Sequence, residues 1–265
     1  MGMTVTEGVA GKVILVTGGC GDLGQATASA LAAAGAIVVV NDLYPEDEAR
    51  ERLGSWGDAG RVAHYIRADV RDRPAVDAAI ADVAARFGRL DVAISNAGIG
   101  RGIPFLALTP DEWNAQLDTN LTGCFHVGQA AARQMVAQRG SGLILFTGSW
   151  VQDIPWPEIS AYCASKGGLK MLMRCMAREL AAHRIRVNLV APGIVRAGLA
   201  GWQYEHEPQY RERVGRVIPL GEMGTPEQVA RAFTYLCSSA ADYMTGTSLL
   251  IDGGCSLFQF DSAGD

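Results

Sequence analysis

Lysine is scarce, with only three among 265 residues, at positions 12, 166 and 170. Basic residues form no block and the formal net charge is −5, so the electrostatic footprint of a nucleic-acid or anionic-membrane binder is missing. The six cysteines, at 20, 124, 163, 175, 237 and 255, contain no Cys-x-x-Cys pair, and the four histidines are far apart in sequence. That argues against a metal site or a disulfide framework and predicts a reducing, cytoplasmic setting. Long apolar runs are also lacking. The longest candidate, 26–40, is broken by Thr27, Ser29 and Gly35 and reads as helix, turn and strand, so no membrane partner is expected. Met1-Gly-Met-Thr-Val-Thr6 fits an N-myristoylation pattern, but no polybasic stretch or second lipid signal follows, and the match reads as coincidence.

Against this poverty of lysine, Lys166 stands out. Of seven tyrosines only Tyr162 has a lysine four residues later. On a helix the two share one face, and an ammonium can lie within reach of a phenol. A free phenol titrates near ~10, so using one as a base near neutrality costs about 4 kcal/mol, much of which a nearby cation can supply. Ser149 follows the strand-like run Leu143-Ile-Leu-Phe-Thr147, where a strand end could aim its hydroxyl at the same substrate oxygen. The alternative, from these residues alone, is an exposed tyrosine beside a solvated lysine.

The N-terminal part reads as strand, helix and strand: Lys12-Val-Ile-Leu-Val-Thr17, an alanine-rich stretch over 23–34, then Ala36-Ile-Val-Val-Val-Asn41. The joining turn, Thr17-Gly-Gly-Cys-Gly-Asp-Leu-Gly24, is of the kind that lets backbone N–H groups and a helix N-terminus approach a pyrophosphate. Asp42 closes the second strand 24 residues after Gly18. An acidic side chain there can accept from both adenosine ribose hydroxyls and would repel a 2′-phosphate. No arginine accompanies it at Gly19, Cys20 or Leu43, which favours NAD over NADP; the alternative is a strand-end aspartate capping a turn.

Taken together, the glycine-rich turn, Asn96-Ala-Gly98, Ser149 and Tyr162-x-x-x-Lys166 resemble the short-chain dehydrogenase/reductase family, over about 11–254. The resemblance implies an α/β fold: one Rossmann-like, doubly wound parallel sheet of about seven strands flanked by helices, in one domain spanning 1–265. Strands are expected at 61–68, 90–95, 143–147, 184–190 and 248–252, and helices at 73–87, 111–119, 122–138 and from Thr225, where Thr-Pro-Glu-Gln forms a capping box. A loop-rich substrate lid is expected at about 198–217.

The same resemblance assigns roles. Tyr162 exchanges a proton with the substrate oxygen, Ser149 positions that oxygen, Lys166 holds the nicotinamide ribose, and Asn120 extends a proton relay through a water. Gly18, Asp22, Leu23, Asp42, Leu43, Asp69, Val70, Asn96, Ala97, Gly98, Pro192, Gly193 and Val195, with Tyr162 and Lys166, are expected on the dinucleotide. Asp22 departs from the family's glycine; its carboxylate is expected to turn away from the phosphates and cap the following helix. Ala197 replaces a usual threonine. For substrate, Ser149, Val151, Gln152, Trp156, Tyr162 and Trp202 are the candidates, with Trp150, Arg101 and Arg196 nearby. Aromatic faces with amide and guanidinium donors favour a sugar, polyol or similar small hydroxylated substrate, the alternatives being a 3-oxoacyl reductase or a non-catalytic dinucleotide sensor. Family resemblance further implies a homotetramer built through the helices at 123–138 and 162–183.

Overall fold

The computed structural model describes residues 6–53 and 62–257; the N-terminal lipidation pattern and the expected strand start at Arg61 fall largely or wholly outside them. Seven parallel strands form one sheet in the order β3-β2-β1-β4-β5-β6-β7, with β1 Val13–Thr17, β2 Ile37–Asp42, β3 Val62–Arg67, β4 Val92–Ser95, β5 Gly142–Thr147, β6 Ile185–Pro192 and β7 Ser248–Ile251. The strand order reverses between β1 and β4, and in open α/β sheets the crevice at such a switch, beyond the strands' carboxyl ends, is where ligands bind.

Parallel strands covered on both faces must be apolar on both sides. Every residue of β1 and of β4 is buried. On one face, α3 (Arg73–Phe87), α5 (Gly123–Ala137) and α6 (Ser160–Leu180) pack around Phe146 and Leu169; on the other, α1 (Asp22–Ala33) and α9 (Pro226–Cys237) pack around Leu31 and Phe233. Burying a phenylalanine such as Phe146 or Phe233 contributes roughly 1.5–3 kcal/mol.

The helices start where their sequences provide acceptors. Asp72 Oδ1 accepts from Ala75 N at 3.2 Å, and Thr225 and Gln228 form the expected reciprocal capping box at the head of α9. The remaining helices are α2 (Glu46–Leu53) and α4 (Pro110–Leu117), then α7 (Gly198–His206) and α8 (Pro208–Val217). The last two correct the expectation of a loop-rich stretch. Pro208 opens α8, and Val214 and Val217 bury one face against Trp150, Val151, Ile218 and Met223. Arg211, Glu212 and Arg216 lie on the solvent side of that helix, while Arg213 lays its guanidinium 4.2 Å over the Trp156 ring.

All six cysteines are free thiols. Burial, its largest cause, pushes Cys20 and Cys237 each up to about 12. In native protein at pH 8, a thiol reagent is expected to label exposed Cys175 first and to reach Cys20 and Cys237 only on unfolding; peptide mapping of the labelled sites reads the order.

Candidate active site

The carboxyl ends of β1, β2, β4, β5 and β6 open on a cleft of about 760 Å³. At one end lies the turn after β1. A Cβ on Gly24 would come within 2.2 Å of the Gly18 carbonyl, and one on Gly18 within 2.7 Å of Ala97 Cα, so both positions require glycine for the backbones to approach. Asn96 secures this corner: its Nδ2 donates to the carbonyls of Thr17 and Gly18 at 3.1 Å each, and its Oδ1 accepts from Thr147 Oγ1 at 2.9 Å. Asp42 Oδ2 accepts from Cys20 N at 2.9 Å and Oδ1 from Leu43 N at 2.7 Å. Asp69 is ion-paired with Arg71 at 2.6 Å, and the guanidinium holds its carboxyl below the usual carboxylate range.

At the other end, α6 carries Tyr162 and Lys166 on one face. Lys166 Nζ lies 5.4 Å from the Tyr162 ring centre, is 3% exposed, and donates to the Thr147 carbonyl at 2.8 Å. Ser149 ends β5's extension and begins a short 3-10 turn, where its Oγ accepts from Val151 N. A π-turn, Asp118–Thr122, interrupts the chain between α4 and α5 and carries Asn120. Asn120 does not line the cleft. It is fully buried, with Oδ1 accepting from Ile99 N and Nδ2 donating to the Ile99 carbonyl and to Ser165 Oγ. It lies just behind the wall, since a Cβ on Gly98 would sit 3.1 Å from Asn120 Oδ1 and 3.7 Å from Lys166 Nζ.

The structure therefore brings Ser149, Tyr162 and Lys166 to one cleft with Gly18, Asp22, Leu23, Asp42, Leu43, Asp69, Val70, Asn96, Ala97, Gly98, Pro192, Gly193 and Val195. Val151 and Trp156 line it too. Two substrate candidates are placed elsewhere. Gln152 turns inward, its Nε2 donating to Ser248 Oγ at 2.7 Å, because the 3-10 turn sends successive side chains to different walls. Trp202 is 54% exposed and stacks on His206 one turn later in α7. Asp22 lines the cleft and does not cap α1, whose N-cap is Gly21; its Oδ2 accepts from Gly198 N at 2.8 Å.

A family model described as enoyl-(acyl carrier protein) reductase matches residues 21–256. The chain belongs to the short-chain dehydrogenase/reductases. It is 37% identical over 248 residues to 3beta-hydroxysteroid dehydrogenase 1 of Eggerthella lenta, covering 94% of this chain and 95% of that one. It is 36% identical over 245 residues to the 3-oxoacyl-(acyl-carrier-protein) reductase FabG of Thermotoga maritima, covering 92% and 97%. A short-chain type dehydrogenase/reductase from Mycobacterium marinum superposes with a TM-score of 0.86 at 36% identity, over 96% of this chain and 99% of that one. The protein is thus an oxidoreductase of a family that uses a nicotinamide dinucleotide. Its own residues fit that cofactor: the glycine cradle admits no side chain, the head of α1 faces the cleft, and Asp42 stands at the far end.

Several lining residues escape a sequence reading. Arg52 reaches the Asp42 end from α2, laid 3.9 Å over the Tyr44 ring and held by Glu48 at 2.9 Å. Ile159 packs with Trp150 and Val151 beside Ser149, joined there by Ala200 and Tyr210 from the expected lid segment, which also lines the cleft with Leu199 and Gln203. Burial pushes the Tyr210 phenol up to about 12, so it serves there as a neutral hydroxyl. For Arg52 and Ile159, nothing short of the tertiary fold brings the position to the cleft.

Proposed function

We propose that the protein is an NAD-dependent dehydrogenase that reversibly interconverts a secondary alcohol and its ketone on an apolar, ring-bearing skeleton. The bound dinucleotide supplies the hydride acceptor or donor at its nicotinamide ring. Tyr162 exchanges a proton with the substrate oxygen, and Ser149 hydrogen-bonds that oxygen and fixes its position. Lys166, anchored on the Thr147 carbonyl, presents its ammonium to the cleft beside the phenol. Asn120, behind the wall, orders the path by which the proton reaches solvent. Asp42 supports NAD, as the carboxylate expected to accept the ribose hydroxyls. The helix pair at 198–217 acts as the substrate lid.

The carrying observation is the lining beside Ser149 and Tyr162. Val151, Trp156, Ile159 and Ala200 form an apolar wall with Tyr210 as its polar point, and Leu199 and Gln203 line the same cleft. Of the amide and guanidinium donors that favour a sugar or polyol in the sequence, only Arg101 lines the cleft, and the others are engaged elsewhere. Arg101 pairs with Glu112 at 2.7 Å, Arg196 lies over Tyr204, Gln152 binds Ser248, and Trp202 faces outward. The hydroxysteroid dehydrogenase among the relatives supports the same class. A second reading, reduction of a 3-oxoacyl thioester, rests on the similarity to FabG. Exposed Phe125 and Val136 on α5 and Met171 on α6 support assembly as a homotetramer through those helices.

Initial rates with NAD and NADP over 3-hydroxysteroids, polyols and 3-hydroxyacyl thioesters test this. The steroid class with NAD is expected to show kcat/KM at least about tenfold above the other two, the scale of one or two well-buried methylene groups in a shaped pocket. Faster turnover of polyols, or of thioesters with NADP, would overturn the substrate assignment.

A further inference from the structure

Across the mouth of the cleft, two segments 176 residues apart are joined by the hydrogen bond from Gly198 N to Asp22 Oδ2. Gly198 is the first residue of α7, and the first N–H groups of a helix have no partner within it. The usual remedy is an oxygen on the N-cap side chain. Here the N-cap is Ala197, whose backbone has the extended shape of a cap (φ −153, ψ 151) but whose methyl accepts nothing. The missing acceptor arrives from the opposite wall. Asp22 leaves its own helix head uncapped, and its negative charge suits the positive end of α7.

We propose that Asp22 is a positioning residue for α7: through Gly198 it fixes the start of that helix, and with it Leu199, Ala200 and Gln203 at the substrate end, relative to the turn that seats the dinucleotide. The two unusual residues, an aspartate at 22 and an alanine at 197, then form one device, in which the cap of α7 has moved from its own N-cap to the cofactor turn. The inference goes beyond the proposed substrate and does not depend on it.

Hydrogen exchange of the α7 amides in the free protein reads the latch directly. Asp22→Ala is expected to speed exchange in the first turn of α7 about five- to tenfold, the scale of losing one hydrogen bond, with α9 unchanged as an internal reference. Asp22→Asn keeps an acceptor without the charge, and its exchange is expected to stay within about twofold of wild type. In steady state Asp22→Ala is expected to raise KM for the alcohol more than it changes kcat. Unchanged exchange in Asp22→Ala, or an Asp22→Asn variant as unprotected as Asp22→Ala, overturns the proposal. Because exchange is read without substrate, failure of the steroid assignment leaves this test standing.

Discussion

Replacing Tyr162 by phenylalanine is expected to lower turnover by about a hundredfold or more while NADH binding stays within about twofold of wild type. The change removes one hydroxyl and little else. The ring is half-buried against the cluster of Trp150, Val151 and Ile194, and phenylalanine fills the same volume. Lys166 is anchored on the Thr147 carbonyl, not on the phenol, so its position survives the substitution. Asn96 and the glycine turn are likewise untouched. On the proposed mechanism, what is lost is the group that exchanges a proton with the substrate oxygen, a contribution that is typically about 10²–10⁴-fold. Steady-state kcat measures the loss, fluorescence titration with NADH measures cofactor affinity, and a melting curve close to wild type shows that the fold is intact. A variant turning over within tenfold of wild type would remove Tyr162 from the chemistry.

The parts of this molecule legible in the sequence are those whose physics is local. A parallel strand buried on both faces has to be an unbroken apolar run, as Val13-Ile-Leu-Val is, and a turn in which backbones meet has to be glycine, as at Gly18 and Gly24. The spacing of Tyr162 and Lys166 fixes their shared helix face for the same reason. Where two walls meet, the sequence is mute. Gln152 and Val151 are neighbours, yet one faces Ser248 and the other the cleft, because a tight 3-10 turn divides them. The stretch from Gly198 to Val217 reads as loop because of its charges, whereas α8 is a short amphipathic helix that needs only Val214 and Val217 buried, and α7 buries only Gly201. Asp22 shows both sides. That a carboxylate beside phosphates needs another partner follows from charge alone; that this partner is Gly198 N depends on a contact across the cleft.

The cofactor preference turns on a similar contact, because Arg52 lies ten positions beyond Asp42 and only the fold brings it to the same end of the cleft. Asp42→Ser is expected to raise the ratio of kcat/KM for NADP to that for NAD about a hundredfold. In the wild-type protein Asp42 uses one lone pair of each oxygen on Cys20 N and Leu43 N, which leaves acceptor capacity for two ribose hydroxyls. A 2′-phosphate would set a near-dianion beside that carboxylate. The repulsion across several ångström of partly solvated cleft is on the order of 3 kcal/mol, and a hundredfold change corresponds to about 2.7 kcal/mol. Serine removes the charge and leaves the Arg52 guanidinium, already laid on Tyr44 and held by Glu48, as the cation at that end. Arg52 contributes to the NADP gain only once Asp42 is gone, so Arg52→Ala in the Asp42→Ser background is expected to return most of the gain, while Arg52→Ala alone changes the ratio far less. Wild-type enzyme that prefers NADP, or an Asp42→Ser variant that keeps its full preference for NAD, would show that the carboxylate does not set the choice.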